Sequence, residues 1–155
     1  MERVVTDPLD LPALEDGEEI SRADVVFYDV DHSGPSFVAH VFVEAPDATA
    51  DTPLDAEHGY AGSFTVFGHN GCYGDEGHCL PDNRYTDEFD RRLPHPLLGW
   101  TKTVIATDAI RRAVRDPAGT TVRLTVVPVV AEDDVVPPAS GEMAFSEVRL
   151  LVYED

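Results

Sequence analysis

The stretch Ser36–Ala45, with the sequence SFVAHVFVEA, decides the fold class of this chain. Successive side chains of a β-strand point to opposite faces, so a strand divides its residues into two alternating sets. Here one set is Phe37, Ala39, Val41 and Val43, and the other is Val38, His40, Phe42 and Glu44. The first set is wholly apolar, which predicts a strand that lays one face on a hydrophobic core. On the opposite face we expect His40 to be a surface or half-buried strand histidine.

Further segments of the chain share this character. β-Branched and aromatic residues favour strands, and they are concentrated at Asp24–Asp31, Tyr60–His69, Thr101–Ala106, Thr120–Val130 and Met143–Tyr153, with a shorter candidate at Arg3–Thr6. Within the fourth of these segments, Pro128 indicates an edge position or a bulge, because proline has no N–H to donate to a sheet.

One short helix interrupts the strands. We predict it at Ala109–Arg115, with Thr107 or Asp108 as its cap and the turn at 116–119 as its end. The strands are not separated by helices of about 10–15 residues, so a parallel α/β sheet is disfavoured. We therefore expect an all-β chain, an antiparallel β-sandwich of six to seven strands with one short helix and long loops.

The length of 155 residues suits one domain. Residues 1–20 are predicted to be a poorly ordered acidic lead-in, and residues 21–155 the β-sandwich domain. No apolar run reaches the roughly 18 residues that a membrane-spanning helix needs. The acidic N-terminus lacks the basic region and apolar core of a signal peptide. We therefore expect a cytoplasmic chain, or a domain cut from a longer one.

The charge balance is strongly acidic. Thirty acidic residues face eleven basic ones, Lys102 is the only lysine, and the formal net charge is −19. Nucleic-acid binding needs cationic groups for phosphate contacts, so this charge argues against it. It argues equally against docking on an anionic membrane. The acidic surface itself is interpreted as a solvated surface that resists association.

The loop 68–79, GHNGCYGDEGHC, contains both cysteines and two of the six histidines. So many glycines are incompatible with the interior of a helix or strand. Three interpretations stay open: a disulfide between Cys72 and Cys79, a metal site of His69, Cys72, His78 and Cys79, or a packed structural loop with neither. Thiolate and imidazole suit zinc or copper(I). The spacing, however, is not that of a standard zinc module.

A second segment of interest is Pro94-His95-Pro96-Leu97. Proline restricts its own backbone and that of the preceding residue, so His95 is held in an extended conformation suited to packing or recognition. No nucleophile elbow, phosphate-binding loop or dinucleotide fingerprint is present. We therefore assign no catalytic residues, no required cofactor and no enzymatic activity to the chain on its own.

The order of three motifs is familiar. The strand YAGSFTVFGH at 60–69, the loop through GHC at 77–79, and RRLPHPL at 91–97 follow one another. Together they resemble the non-catalytic C-terminal β-domain that follows the copper domain in bacterial tyrosinase-family proteins. The segments DVVFYDV at 24–30, VIATDAIRR at 104–112 and TVRLTVVPV at 121–129 are also similar, so the resemblance covers about residues 22–154.

The resemblance implies an accessory role. Tyrosinases oxidise phenols or catechols at a copper pair held by histidine triads on a helical bundle. This chain lacks that bundle and those triads, so no copper ligand is carried over to it. It would instead pack on, stabilise or shield a type 3 copper oxidase domain, in cis or in trans. Strand faces would supply the docking surface, shaped by the loop 68–79 and the segment 94–97.

Two other functions compete with this one. The first is a zinc or copper(I) binding protein that uses His69, Cys72, His78 and Cys79. The second is a freestanding recognition module, which the sequence favours least because Trp100 is the sole tryptophan and no aromatic ladder is present.

Overall fold

The computed structural model describes residues 1–12, 19–68, 89, 98–114, 120–130 and 143–154. The strands in these ranges are β1 (Val4–Val5), β2 (Leu9–Asp10), β3 (Ile20–Val30), β4 (Phe37–Val43), β5 (Tyr60–Val66), β6 (Trp100–Ile105), β7 (Thr121–Val122), β8 (Leu124–Val130) and β9 (Glu147–Glu154), and the helix is α1 (Thr107–Val114). The prediction of an all-β chain with one short helix is confirmed.

The strands form two main sheets and one small one. The first main sheet has four strands in the order β1-β8-β4-β5, and the second has three in the order β6-β3-β9. β2 and β7 make a two-stranded ribbon. Every pairing is antiparallel. The inner faces of the two main sheets share one hydrophobic core, which gives the predicted sandwich arrangement.

Phe27 of β3 lies near the centre of this core. Its side chain is fully buried, and its ring centroid lies 5.1 Å from that of Phe64 and 5.3 Å from that of Phe145. The face of β4 that the sequence assigned to the core is buried throughout, with Phe37, Ala39, Val41 and Val43 at most 6% exposed. Burial of each large apolar side chain stabilises the fold by about 1.5–3 kcal/mol.

β3 is longer than its β-branched run predicts. It begins at Ile20 rather than Asp24, because its first residues pair with the end of β9 through Arg22 and Tyr153. The last strand, in contrast, begins at Glu147 instead of Met143. Pairing between distant segments therefore moves strand ends that local composition cannot place.

The first twelve residues run along the sandwich, although we expected a poorly ordered lead-in over 1–20. Val4–Val5 pairs with β8, and Leu9–Asp10 pairs with β7. Between them, the N–H of Thr6 donates to the carbonyl of Leu124 at 2.9 Å, and its hydroxyl accepts from the Leu124 N–H at 3.1 Å. These reciprocal bonds hold the segment against the edge of the sheet.

The helix α1 begins at Thr107, two residues before its predicted start. The hydroxyl of Thr107 accepts a hydrogen bond from the N–H of Ala23 at 3.1 Å, which joins the start of the helix to β3. Nowhere in the described ranges is a helix long and apolar enough to cross a membrane.

Pro128 lies in β8, opposite Ala39 of β4. On the other side of β8, pairing with β1 covers only Thr125 and Val126. Within the described part of the chain, Pro128 therefore has a strand partner on one side, which is where a residue without an N–H can be accommodated.

Candidate functional site

The residues that the sequence singled out lie outside the described part of the chain. They are His69, Cys72, His78 and Cys79 of the glycine-rich loop, and Pro94, His95, Pro96 and Leu97 of the proline segment. Gly68, which precedes the glycine-rich loop residues, and Leu98, which follows the proline segment, are both described.

Both of these boundary residues are held by the turn between β3 and β4. The Gly68 N–H donates to the hydroxyl of Ser36 at 3.0 Å, and a Cβ atom at Gly68 would collide with the backbone of Gly34 and Pro35. At the other end, Nε2 of His32 lies 2.8 Å from the carbonyl oxygen of Leu98. Gly68 and Leu98 therefore both lie beside the turn between β3 and β4.

His32 is also part of a stack at this corner. Its side chain is 4% exposed, and its ring lies 4.2 Å from that of Trp100, at an angle of 18° between the planes. Nζ of Lys102 lies 4.4 Å from the centroid of the same indole ring, a favourable cation–π geometry. Burial lowers the pKa of the Lys102 ammonium group. The only lysine of the chain thus contributes to a rigid corner of the sandwich.

The outer face of the three-stranded sheet is a different kind of surface. We call it the open face; its side chains are Arg22, Asp24, Val26 and Tyr28 from β3, Thr103 and Ile105 from β6, and Glu147, Arg149, Leu151 and Tyr153 from β9. Asp24 lies between Ile105 and Leu151 across the sheet. Ile105 is 60% exposed, Tyr153 48% and Leu151 39%. Large apolar side chains therefore reach solvent on β6 and β9, the two strands that flank β3.

The charges on the open face are paired with one another. Nε of Arg22 lies 2.8 Å from a carboxylate oxygen of Asp24, and Nε of Arg149 lies 2.7 Å from one of Glu147. The guanidinium of Arg149 also lies 5.3 Å from the ring centroid of Tyr28. Two arginines balance two carboxylates, so this face is locally neutral in a chain whose net charge is −19.

A cleft of about 680 Å³ lies elsewhere, between the connection from β4 to β5 and the helix α1. Small residues line much of it: Ala45, Ala48, Ala56, Gly59, Ala109 and Ala113. The polar residues on its walls are Glu44, Asp47, Thr52, Glu57, His58, Arg112 and Thr121. Arg112 also lines a smaller neighbouring cleft of about 300 Å³, so its side chain lies at the wall of both clefts.

His58 is held in the wall of this cleft by Asp55. One carboxylate oxygen of Asp55 accepts from the His58 backbone N–H at 3.0 Å and lies 2.7 Å from Nδ1 of the ring. The side-chain hydrogen bond with His58 is the main cause that lowers the pKa of the Asp55 carboxyl. Because the charged carboxylate accepts, Nδ1 carries the proton and the ring orientation is fixed.

The sequence analysis missed both the open face and the cleft. A histidine three residues after an aspartate in a turn was a usable signal for the pair of Asp55 and His58. No comparable signal marked Arg112, which reaches the cleft from a helix about fifty residues further along the chain.

Comparison with known proteins adds no family. No family model, no curated protein and no solved structure matches this chain. The resemblance to the tyrosinase-family C-terminal domain therefore stays a prediction.

Proposed function

We propose that this chain is a non-catalytic accessory domain that docks on a larger protein through the open face. The resemblance described above makes a type 3 copper oxidase domain the proposed partner, which the chain would stabilise or shield. One observation supports docking: a sheet face that exposes Ile105, Leu151 and Tyr153 and whose charges cancel, on a chain with a net charge of −19.

The composition of the open face resembles that of protein interfaces. Tyrosine and arginine are enriched at interfaces, where they contribute much of the binding energy. Tyr28 and Tyr153 supply aromatic surface here, and Arg22 and Arg149 supply guanidinium groups that are already paired. Since these pairs are satisfied within the face, a partner can cover them without leaving a lone charge buried.

The net charge favours a foreign partner over a second copy. Two chains of −19 each repel one another over long distances, which opposes self-association. A partner with an apolar, nearly neutral patch meets no such barrier at the open face. The proposed occupant is therefore the surface of the oxidase domain and not another molecule of this chain.

A mixing experiment tests the proposal. The purified chain is added to a type 3 copper oxidase domain from the same source, and the rate of catechol oxidation and the melting temperature of the oxidase are recorded. We expect the chain to change at least one of the two. Leu151→Asp should abolish the change, because it places an unpaired carboxylate in the interface.

The matched control is Leu54→Asp. Leu54 is 50% exposed and lies outside the open face, so the same substitution there should leave the effect intact. An oxidase unaffected by the parent chain would refute the proposal. So would equal loss of the effect in both variants, or sedimentation showing that the open face joins two copies of this chain.

The second candidate function is zinc or copper(I) binding by His69, Cys72, His78 and Cys79. The observation in its favour is that Gly68 and Leu98, which flank the segment with these residues, both bond to the turn between β3 and β4. Native mass spectrometry before and after reduction tests it. A metal adduct that disappears in the Cys72→Ser/Cys79→Ser variant supports metal binding, and a mass two hydrogens low that recovers on reduction supports a disulfide.

A further inference from the structure

Arg112 differs from most arginines that the structure describes. Four of them form ion pairs with carboxylates: Arg3 with Asp47, Arg22 with Asp24, Arg111 with Asp108, and Arg149 with Glu147. Arg112 forms no ion pair with any described residue, although acidic residues outnumber basic ones by thirty to eleven. Carboxylates also line this cleft, but none of the described ones forms an ion pair with Arg112, so its guanidinium is available to an anion from outside.

Several carboxylates near the cleft are already engaged. Glu44 accepts from the backbone N–H of Arg123 at 2.6 Å, and Asp55 is bonded to His58. Asp47 lies 3.7 Å from the guanidinium of Arg3. Glu57 is the remaining carboxylate of the wall, and it forms no ion pair within the described ranges. The uncommitted charges that face a ligand are therefore those of Arg112 and Glu57.

The backbone keeps the engaged carboxylate of Glu44 in place. Glu44 has a φ of +53°, which is unusual for a residue other than glycine. Its N–H donates to the carbonyl of Arg123 at 3.0 Å, so two bonds to the same residue hold it against β8. One carboxylate oxygen of Glu44 is therefore occupied by the backbone of Arg123.

The floor of the cleft suits an apolar group. Ala48 and Ala109 are each 4% exposed, so they belong to a packed wall that does not need to reorganise. The volume of about 680 Å³ lies within the range of roughly 300–1,000 Å³ that is usual for small-molecule sites. The cleft thus combines an apolar floor with polar walls, and the guanidinium in the wall can bind the carboxylate of an acid whose apolar body lies on the floor.

We propose that this cleft binds a small organic carboxylate, with Arg112 holding the carboxylate and the alanine floor holding the apolar body. The ring of His58, fixed by Asp55, provides a further polar contact at the wall. The cleft shares no residue with the open face. The smaller neighbouring cleft is lined by both Arg112 and Ile105 of the open face, so ligand binding and docking are tested with separate variants.

The test uses the full chain and pairs of ligands that differ in charge. Benzoate and hexanoate are titrated while the amide spectrum is followed by two-dimensional NMR, and benzylamine serves as a cation of the same shape as benzoate. Titration to about 10 mM covers the weak, millimolar end of specific binding. We expect saturable shifts around Ala48, Gly59 and Ala109 with the acids and none with benzylamine.

Three variants identify the charge that binds. Arg112→Gln should weaken benzoate binding about tenfold or more, since a charge-assisted hydrogen bond is lost. Glu57→Gln should strengthen it, because the opposing carboxylate is removed. Arg123→Gln is the matched control, since Arg123 forms no ion pair in the described ranges and does not line the cleft, and it should leave binding unchanged.

The folding of each variant is checked by circular dichroism; Arg112 is exposed, so its replacement leaves the core intact. Tighter binding of benzylamine than of benzoate would overturn the proposal in favour of a cation site. Absence of saturable binding by either acid would also overturn it, as would equal weakening by Arg112→Gln and Arg123→Gln.

Discussion

The outer faces of the two main sheets differ in how far their apolar side chains are exposed to solvent. On the four-stranded sheet, Phe42 and Val127 point outward, yet they are only 0% and 5% exposed, because Ala48 and Tyr60 pack over them. On the three-stranded sheet, Ile105 and Leu151 point outward and are 60% and 39% exposed. Equivalent positions of one sandwich are thus buried on one side and open on the other.

The difference comes from the connection between β4 and β5. Residues 44–59 form turns that fold back over the four-stranded sheet, and Arg3 holds them by donating to the carbonyl of Ala48 at 3.2 Å. A second small core results, and the cleft lies beside it. No described segment does the same for the open face. Within the described ranges, the open face therefore keeps exposed apolar side chains and paired charges, a surface suited to another molecule.

Phe42→Ala should have the largest effect on the covered face. Phe42 is fully buried, and its ring centroid lies 5.6 Å from that of Tyr60. Truncation leaves a cavity, so we expect a loss of about 3–5 kcal/mol in the free energy of unfolding, measured by urea denaturation. Leu151→Ala on the open face is the comparison and should change it by less than about 1 kcal/mol. Similar losses of unfolding free energy in Phe42→Ala and Leu151→Ala would show that the two outer faces do not differ in burial.

Gly59→Ala tests how the covering segment is attached. Gly59 has a φ of +78°, and an added Cβ would collide with the carbonyl of Val43. We expect a loss of about 1–3 kcal/mol in urea denaturation, from backbone strain and displacement of the segment. Gly34→Ala is the control, since a Cβ there meets no atom within 4 Å. If Gly34→Ala cost as much, strain at Gly59 would not be the cause.

The covered face should also make stability depend on pH. Burial lowers the pKa of His40 below its usual 6.5, and its Nδ1 is buried without a partner in the described ranges. The unfolded chain therefore binds the proton more readily. Stability from this group is complete above about pH 6.5 and falls as the pH drops below it, by at most about 1.4 kcal/mol per pH unit.

Urea midpoints measured between about pH 7.5 and pH 5.5 check this prediction. His40→Gln keeps a polar side chain but removes the titration, so its stability should fall less over the same interval. An unchanged pH dependence in this variant would assign the effect to other groups.

The smallest effect is expected from the ion pairs of the open face. The side chains of Arg149 and Glu147 are 57% and 48% exposed, and water screens such pairs effectively. Arg149→Gln should therefore change the free energy of unfolding by less than about 1 kcal/mol. A loss of several kcal/mol in urea denaturation would show that this face is built for stability and not for a partner.

The sequence predicted the inner face of β4 and the half-buried position of His40 on the outer face correctly, but it did not predict the burial of Phe42. Alternation assigns Phe37 and Val41 to the core, yet it cannot show that Phe42 is also buried, because what covers it is an irregular segment without periodicity. In the same way, residues 20–23 precede the strand that composition predicts from Asp24. They belong to β3 because they pair with the end of β9.

The candidate sites were harder to predict than the fold. Asp55 and His58 are close in sequence, but Arg112 joins them only because α1 packs against the end of the sandwich. The ion pairs of the open face join residues two apart on one strand, Arg22 with Asp24 and Arg149 with Glu147, but strand alternation alone does not show which outer face stays exposed. The prediction for the cysteine and histidine loop is untested, since its residues lie outside the described ranges.

The position of Trp100, whose indole ring lies beside both His32 and Lys102, has a practical consequence. The indole contacts His32, whose other bond holds Leu98, and it is the only fluorophore of its kind in the protein. Excitation near the red edge of indole absorption therefore observes one corner of the molecule without any label. Its emission wavelength and fluorescence lifetime report on the environment of the indole, and we expect them to change if a metal, a disulfide or a partner alters the contacts of Leu98 with His32.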